Sequence, residues 1–267
     1  RFCTSACPYK KVYFNWDSGK AEKCIHCFPR TETGQCMACA HSCVGRIRYV
    51  GVLLYDAERV EQALLKADAE LVDAHRAVIL DPRDPAVRDA ARKNGVSDQW
   101  LEAAVRSPAH ALVKEFGLAL PLHPEFRTLP MAYYIPSLSP VLSTLGDSHE
   151  LMEHGMFPEA ETLRAPLSYL AGLLSGGNRE VVAAVLAKLV ALRAFMRARN
   201  LGQPIDPGVL ERAGLTEAAA VRLYRLFTIG GYDERNVIPS QQREEQDPYT
   251  RKGASGFGIL KKAGRGK

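Results

Sequence analysis

All the cysteines of this 267-residue chain lie near its beginning, and the sequence after them contains none. There are seven: Cys3, Cys7, Cys24, Cys27, Cys36, Cys39 and Cys43. An odd number of cysteines at one end, in a chain that does not start with a secretory signal, argues against a set of disulfide bonds. Thiolates are soft ligands that favour zinc and the iron of iron–sulfur clusters. The sequence therefore predicts a metal-binding segment at the front of the chain.

Four of the cysteines are paired in the way that a zinc ribbon requires. Cys24 and Cys27 form one CxxC motif, and Cys36 and Cys39 form a second one a short distance along the chain. Two such pairs supply the four sulfurs of a tetrahedral zinc site. A zinc-stabilised interaction module with a helical body and no redox role is therefore the alternative from another functional class.

The other cysteines fit an iron–sulfur protein better. Cys3-x3-Cys7-Pro8 matches the end of the bacterial ferredoxin pattern C-x2-C-x2-C-x3-C-P, and Cys39-x3-Cys43 repeats the same interval. In two-cluster ferredoxins, three closely spaced thiolates bind one cubane and the next cysteine binds the other cluster. A proline after that cysteine fixes φ and turns the chain away from the sulfurs. These features favour iron–sulfur clusters over a zinc ribbon.

On this pattern the cysteines divide among several clusters. Three of them belong to one cluster: Cys24, Cys27 and Cys39. Cys43 belongs to a different cluster. Cys7 occupies the equivalent position after Cys3, so it too is expected to bind a cluster other than that of the cysteine before it. Cys3 is then the last member of a triplet whose other members lie upstream. We therefore expect this chain to be part of a longer protein, with parts of several sites and the whole of none.

Basic residues accompany the cysteines. Residues 1–50 contain eight Lys and Arg against three Asp and Glu, and residues 251–267 add six basic residues and no acidic one, in a chain of net charge +5. Thiolate-ligated clusters are anionic, and nearby cations stabilise their reduced state. We expect the basic excess at the front to screen a bound cofactor. Nucleic acid is not expected as a partner, because no groove-reading motif accompanies the basic residues.

The sequence predicts no membrane span of its own. The longest uncharged run, residues 128–146, is interrupted by three prolines: Pro130, Pro136 and Pro140. In the most apolar helical stretch, residues 181–196, Lys188 and Arg193 intervene. Any link to a membrane is therefore expected to come through a partner.

Several longer stretches resemble the beta subunit of respiratory nitrate reductase and the closely related nitrite oxidoreductase beta subunit. The first is CPYKKVYFNWDSGKAEKC at residues 7–24, followed by CVGRIRY at 43–49 and GVLLYD at 51–56. Further stretches lie at 120–130, 134–136, 138–140 and 166–171. The resemblance extends to about residue 240. The tail from Gln241 onward departs from it, which favours a nitrite-oxidising relative slightly.

The resemblance implies [4Fe-4S] clusters and a [3Fe-4S] cluster, all shared with an upstream part of the protein. Cys3 matches a ligand of the three-iron cluster, and Cys7 the fourth ligand of the neighbouring four-iron cluster. Cys43 matches a ligand of the most distant cluster. Three cysteines match ligands of another cubane: Cys24, Cys27 and Cys39. Cys36 has no counterpart among the ligands of the family and is interpreted as a bystander thiol.

The resemblance also implies partners. A haem b membrane subunit (gamma) would oxidise quinol, and a molybdenum-containing catalytic subunit (alpha) would reduce nitrate, at the cytoplasmic face of the membrane. In a nitrite oxidoreductase the electrons would flow the other way. No catalytic residue is expected in this chain, because its histidines form no ligand spacing. His26 and His41, between cysteines, are expected at the surface or behind the ligands, and His123 is expected to be structural.

We predict an α+β fold. Residues 1–50 are expected to form the end of a ferredoxin-like domain, 51–235 a mostly helical domain with irregular Pro-rich straps, and 236–267 an extended basic tail. Helical patterns lie near residues 56–78, 84–116, 158–176, 178–199 and 205–229. Pro85, Ser97 and Thr216 are predicted to open helices, and Gly202 to close one. Five prolines predict an irregular strap from Pro121 to Pro140.

Overall fold

The computed structural model describes residues 1–136, 167–204, 206 and 208–240. The chain forms two compact units. The first comprises Arg1–Ser42 and the chain from Ile238, and the second comprises Cys43–Val237. Short strands and many helices confirm the α+β class. The predicted domain boundaries at residues 50 and 235 stay predictions, and the tail from residue 241 lies outside the described residues.

The first unit contains a β-hairpin and three short helices. Strands β1 (Val12–Asn15) and β2 (Lys20–Lys23) pair in antiparallel register. The turn between them forms because the Asn15 side chain accepts the backbone N–H groups of Asp17 and Ser18, at 3.0 and 3.3 Å. The helices are α1 (Phe2–Ala6), α2 (Phe28–Thr31) and α3 (Ala38–His41).

The second unit is mostly helical. Its α-helices are α4 (Val60–Leu64), α5 (Leu71–Ala77), α6 (Pro85–Lys93), α7 (Asp98–Arg106), α8 (Pro108–His110), α9 (Leu167–Leu174), α10 (Arg179–Leu201), α11 (Val209–Arg212), α12 (Glu217–Tyr224) and α13 (Tyr232–Arg235). Short 3-10 helices cover Ala57–Arg59, Asp68–Glu70 and Pro124–Phe126, and π-helical turns cover Ala111–Glu115 and Arg225–Ile229. Strands β3 (Arg48–Tyr49) and β4 (Tyr133–Tyr134) pair antiparallel. No helix of the described residues is long and apolar enough to cross a membrane.

Helix α10 forms the centre of this unit. The Asn178 side chain accepts the backbone N–H groups of Glu180 and Val181 at its start, and Gly202 closes it with φ of 63°. The helix packs against α9, α11 and α12. Its buried positions recur at helical intervals: Val182, Val185, Leu186, Leu189, Leu192, Phe195 and Met196. Burying one such side chain contributes about 1.5–3 kcal/mol, so this face supplies much of the core.

The residues predicted to start helices do so in the structure, although not each of them makes a capping hydrogen bond. Pro85 opens α6 after Asp84, whose side chain accepts the Ala86 N–H at 2.8 Å. Thr216 caps α12 by accepting the Ala219 N–H at 3.2 Å. Ser97 precedes α7 as predicted, but its side chain makes no capping bond.

The helical patterns at 84–116 and 205–229 are divided where new helices were predicted to start, at Ser97 and Thr216, but each also ends in a π-helical turn that was not predicted. The pattern at 56–78 is likewise divided into short turns and helices. The pattern at 158–176 is confirmed for Leu167–Leu174, and its first part lies outside the described residues.

The Pro-rich strap is fixed by long-range hydrogen bonds in its described part, residues 121–136. The His123 backbone N–H donates to the Leu173 carbonyl at 2.8 Å. The Arg127 guanidinium donates to the carbonyls of Leu64 and Lys66 and to the Asp68 carboxylate, at 2.5, 2.7 and 2.7 Å. The strap is therefore irregular, as predicted, and tied to the segment before α5.

Candidate metal centre

The cysteines differ in exposure. None of the seven is in a disulfide bond. Cys36 is wholly buried, with a relative exposure of 0%. The six predicted ligands are exposed or half-buried: Cys3, Cys7, Cys24, Cys27, Cys39 and Cys43. The burial of Cys36 accords with a thiol that packs in the protein interior, whereas the other sulfurs are accessible to a cofactor.

Backbone amides surround the Cys7 sulfur. Backbone hydrogen bonding, chiefly from the Lys11 amide, lowers the pKa of the thiol. Hydrogen bonds to a thiolate favour its charged form. Cys7 therefore lies in an environment suited to a deprotonated sulfur that binds a metal.

The Cys24–Cys27 loop has an unusual backbone. His26 and Cys27 both have positive φ, 58° and 49°, a conformation that usually costs residues other than glycine about 1–2 kcal/mol each. The bend brings the His26 N–H to 3.4 Å from the Cys24 sulfur. His26 is half-buried, and the loss of solvent lowers its pKa. The loop therefore directs a backbone amide at a predicted ligand, and the role predicted for the His26 ring stays a prediction.

The backbone turns directly after three of the cysteines, and after Cys27 this turn is the start of helix α2. In each, the cysteine carbonyl accepts the backbone N–H of a basic residue three positions later. The pairs are Cys7 with Lys10 at 3.0 Å, Cys27 with Arg30 at 2.8 Å, and Cys43 with Arg46 at 3.1 Å. Lys10 and Arg46 have positive φ, 52° and 50°. The recurring pattern Cys-x-x-Lys/Arg in the sequence is the signal that identifies these basic residues, which the spacing of the cysteines alone did not indicate.

Each basic side chain of these turns also holds a backbone carbonyl. Lys10 Nζ donates to the Ser5 carbonyl at 2.8 Å, and Arg46 donates to the Gly230 carbonyl at 3.2 Å. Arg30 Nε donates to the carbonyl of Cys36 at 2.9 Å. Each basic side chain therefore ties its cysteine turn to a second point of the backbone.

The structure does not gather the predicted ligands into a complete site. Across residues 1–136 and the described part of 167–240, no three His, Cys, Asp or Glu side chains form a group that could hold a metal ion. The donor set nevertheless fits iron–sulfur clusters: the six predicted ligands are exposed or half-buried and not in disulfides, an amide donates to the Cys24 sulfur, backbone hydrogen bonding lowers the pKa of Cys7, and basic residues follow three of the cysteines. Which sulfurs share a cluster stays a prediction.

The other histidines do not extend the site. His123 Nδ1 lies 2.7 Å from Glu125 Oε1, and its ring stacks on Phe126. This arrangement agrees with the structural role predicted for His123. His75 and His110 are buried in the second unit, with relative exposures of 2% and 4%.

Comparison with known proteins identifies the family. Residues 1–53 match the 4Fe-4S dicluster domain, and residues 138–217 match the respiratory nitrate reductase beta C-terminal domain. The respiratory nitrate reductase beta chain of Bradyrhizobium sp is 35% identical over 245 residues, which are 91% of this chain and 70% of the relative. The chain belongs to the respiratory nitrate reductase beta chain family.

Other members of the nitrate reductase beta family are more similar but longer. The respiratory nitrate reductase 1 beta chain of Escherichia coli K12 is 46% identical over 259 residues, which are 96% of this chain and 50% of the relative. The nitrate reductase beta chain of Bacillus subtilis 168 is 45% identical over 262 residues, which are 97% of this chain and 54% of the relative. The chain thus spans about half the length of these two relatives. The match of residues 1–53 to an iron–sulfur domain favours clusters over the zinc-ribbon alternative.

Proposed function

We propose that this chain relays electrons through iron–sulfur clusters in a quinol-linked nitrate reductase. The observation that carries the proposal is an iron–sulfur domain at residues 1–53 in a chain of the nitrate reductase beta family. When bound, iron–sulfur clusters supply one-electron oxidation and reduction, with potentials set by charge, hydrogen bonds and exposure. The residues of this chain contribute the ligands and the amides and cations around them.

The proposed ligands divide among clusters as the ferredoxin pattern and the family resemblance imply. Cys3 would bind a [3Fe-4S] cluster, and Cys7 the neighbouring [4Fe-4S] cluster. Cys24, Cys27 and Cys39 would bind a second [4Fe-4S] cluster, and Cys43 a more distant one. The amides at Cys7 and Cys24 support this role, because hydrogen bonds to cluster sulfur stabilise the reduced form.

The proposed partners are a haem b membrane gamma subunit that oxidises quinol and a molybdenum catalytic alpha subunit that reduces nitrate to nitrite. The chain would then sit at the cytoplasmic face of the membrane, attached through these subunits. The similar E. coli and B. subtilis proteins bear nitrate reductase names, which supports nitrate reduction over nitrite oxidation as the direction.

Analysis of the anaerobically purified protein tests the cofactor. Iron with acid-labile sulfide is the expected result. Zinc without sulfide would identify the alternative, a zinc-stabilised interaction module, because a zinc ribbon contains no inorganic sulfur.

Substitution of single cysteines tests the ligands. A Cys24→Ser variant should lose one [4Fe-4S] signal in electron paramagnetic resonance and stop electron transfer from quinol to nitrate, while the other signals remain. Cys36→Ala is the matched control, since Cys36 is buried and is not a proposed ligand. A Cys24→Ser protein with every signal intact, or a Cys36→Ala protein that lacks one, would contradict the assignment.

A further inference from the structure

We propose that Arg30 is a positioning residue that joins two cysteine-bearing segments and places a fixed positive charge beside the cluster bound there. The inference rests on the proposed function, because it assumes that Cys24, Cys27 and Cys39 bind one cluster. It assigns a role to a residue that is not itself a ligand.

The contacts of Arg30 connect the two halves of this site. Its backbone N–H donates to the Cys27 carbonyl at 2.8 Å, which fixes Arg30 to the first CxxC segment. Its Nε donates to the Cys36 carbonyl at 2.9 Å, and its Nη2 lies 3.4 Å from His41 Nδ1. Cys36 and His41 flank Cys39 in the sequence. One side chain therefore holds the segment of Cys39 against the segment of Cys24 and Cys27.

The backbone of Arg30 strengthens the same connection. Its carbonyl accepts the N–H groups of Thr33 and Gln35, at 3.1 and 2.9 Å, in the turn that leads to Cys36. Arg30 is half-buried. A guanidinium presents its N–H donors in a rigid planar fork, so it can hold two acceptors in a fixed geometry. A lysine side chain carries a single nitrogen on a flexible stem and cannot reproduce that geometry.

Arg30 differs from the other two basic residues of the Cys-x-x-Lys/Arg turns. Lys10 donates to Ser5 and Arg46 donates to Gly230, neither of which is a cysteine. Arg30 donates to the backbone of a cysteine in the second CxxC pair. Its charge is permanent, and a cation near an anionic cluster favours the more negative, reduced state. Arg30 should therefore raise the reduction potential of this cluster as well as hold its ligands.

The test uses the whole complex, purified anaerobically, with three variants. Arg30→Gln removes the charge and the forked donors, whereas Arg30→Lys keeps the charge alone. Lys20→Gln is the matched control, because it removes one positive charge from exposed strand β2 in the same unit. The measurements are iron loss to a chelator, the midpoint potential of the cluster whose signal Cys24→Ser abolishes, and amide hydrogen exchange of residues 36–41.

For Arg30→Gln we expect iron loss from this cluster to be about 10-fold faster or more, the range seen when residues behind metal ligands are replaced. Its midpoint potential should fall, and exchange of residues 36–41 should accelerate. Arg30→Lys should lose iron faster than wild type but keep a midpoint potential close to it. Lys20→Gln should resemble wild type in all three measurements.

A purely structural role would weaken retention in both Arg30 variants and move neither potential. An unchanged potential in Arg30→Gln would therefore overturn the electrostatic role, and iron loss equal to that of Lys20→Gln would overturn the inference entirely. Failure of the proposed function would look different: wild-type protein would contain no sulfide. Hydrogen exchange of residues 36–41 requires no cluster and would still decide whether Arg30 joins the two segments.

Discussion

Replacement of Gly176 by alanine should destabilise the helical unit more than any ordinary surface substitution. Gly176 follows α9 with φ of 61°, and a Cβ built there would lie 2.9 Å from the Asp68 carbonyl carbon and closer still to its oxygen. Real Cβ atoms do not approach backbone this closely, so one of the two segments must move.

The Asp68 segment is held too firmly to move freely. Arg127 donates to the Asp68 carboxylate at 2.7 Å and to two carbonyls just before it, and the Asn178 side chain donates to the Ala69 carbonyl at 2.9 Å. A shift would strain these bonds and the cap of α10, to which Asn178 also contributes. The clash is therefore expected to cost free energy in the folded state.

The magnitude follows from three contributions. A left-handed conformation costs alanine about 1–2 kcal/mol. Overpacking against a fixed neighbour adds about 1–3 kcal/mol. Alanine has a lower conformational entropy than glycine in the unfolded chain, and this difference offsets about 0.4–1 kcal/mol of the loss. Adding the first two ranges and subtracting the third, we expect Gly176→Ala to lower the free energy of unfolding by about 1–4.6 kcal/mol, of which about 1–3 kcal/mol comes from the steric clash.

Gly202→Ala is the matched control. Gly202 has nearly the same φ, 63°, but a Cβ there would meet no atom within 4 Å. It should cost only the conformational part, about 1 kcal/mol. Urea denaturation followed by the circular dichroism of the helices measures both variants. Equal losses for the two would refute the steric argument.

Two further predictions concern the same unit. Asn178→Ala should lower the free energy of unfolding by about 1 kcal/mol, because α10 loses its cap, whereas Ser97→Ala should change it little, since Ser97 makes no capping bond; denaturation distinguishes them. His75 is buried, neither ring nitrogen has a partner among the described residues, and burial lowers its pKa. Folding therefore favours neutral His75, so stability should be full above about pH 6.5 and decrease as the pH falls below it. His75→Leu should weaken that dependence in denaturation curves at successive pH values, and an unchanged slope would contradict this reasoning.

Much of the fold could be predicted from local signals. The caps at Pro85 and Thr216 and the stop at Gly202 depend on residues within a few positions, and each was confirmed. The π-helical turns after α8 and α12 were not predicted, because the apolar pattern continues through them. The ties made by Arg127 join residues about sixty positions apart, which no periodicity indicates.

In the candidate site, too, local sequence signals were predictive and contacts between distant residues were not. The spacing of the cysteines predicted an iron–sulfur domain, and the match of residues 1–53 confirms this. The family resemblance, and not the spacing, distinguished Cys36, which the structure buries. The carbonyl contacts of Lys10, Arg30 and Arg46 were not predicted, because the spacing of sulfurs does not indicate which side chains support a bend. The assignment of individual sulfurs to clusters stays a prediction, since it depends on three-dimensional convergence that spacing does not encode.

The turns after Cys7, Cys27 and Cys43 have a consequence for assembly. Each is closed by its own amide-to-carbonyl bond, and its basic side chain contacts a further carbonyl. These contacts restrict the backbone beside the three thiols, so the protein itself meets part of the conformational entropy cost of placing them for a cofactor.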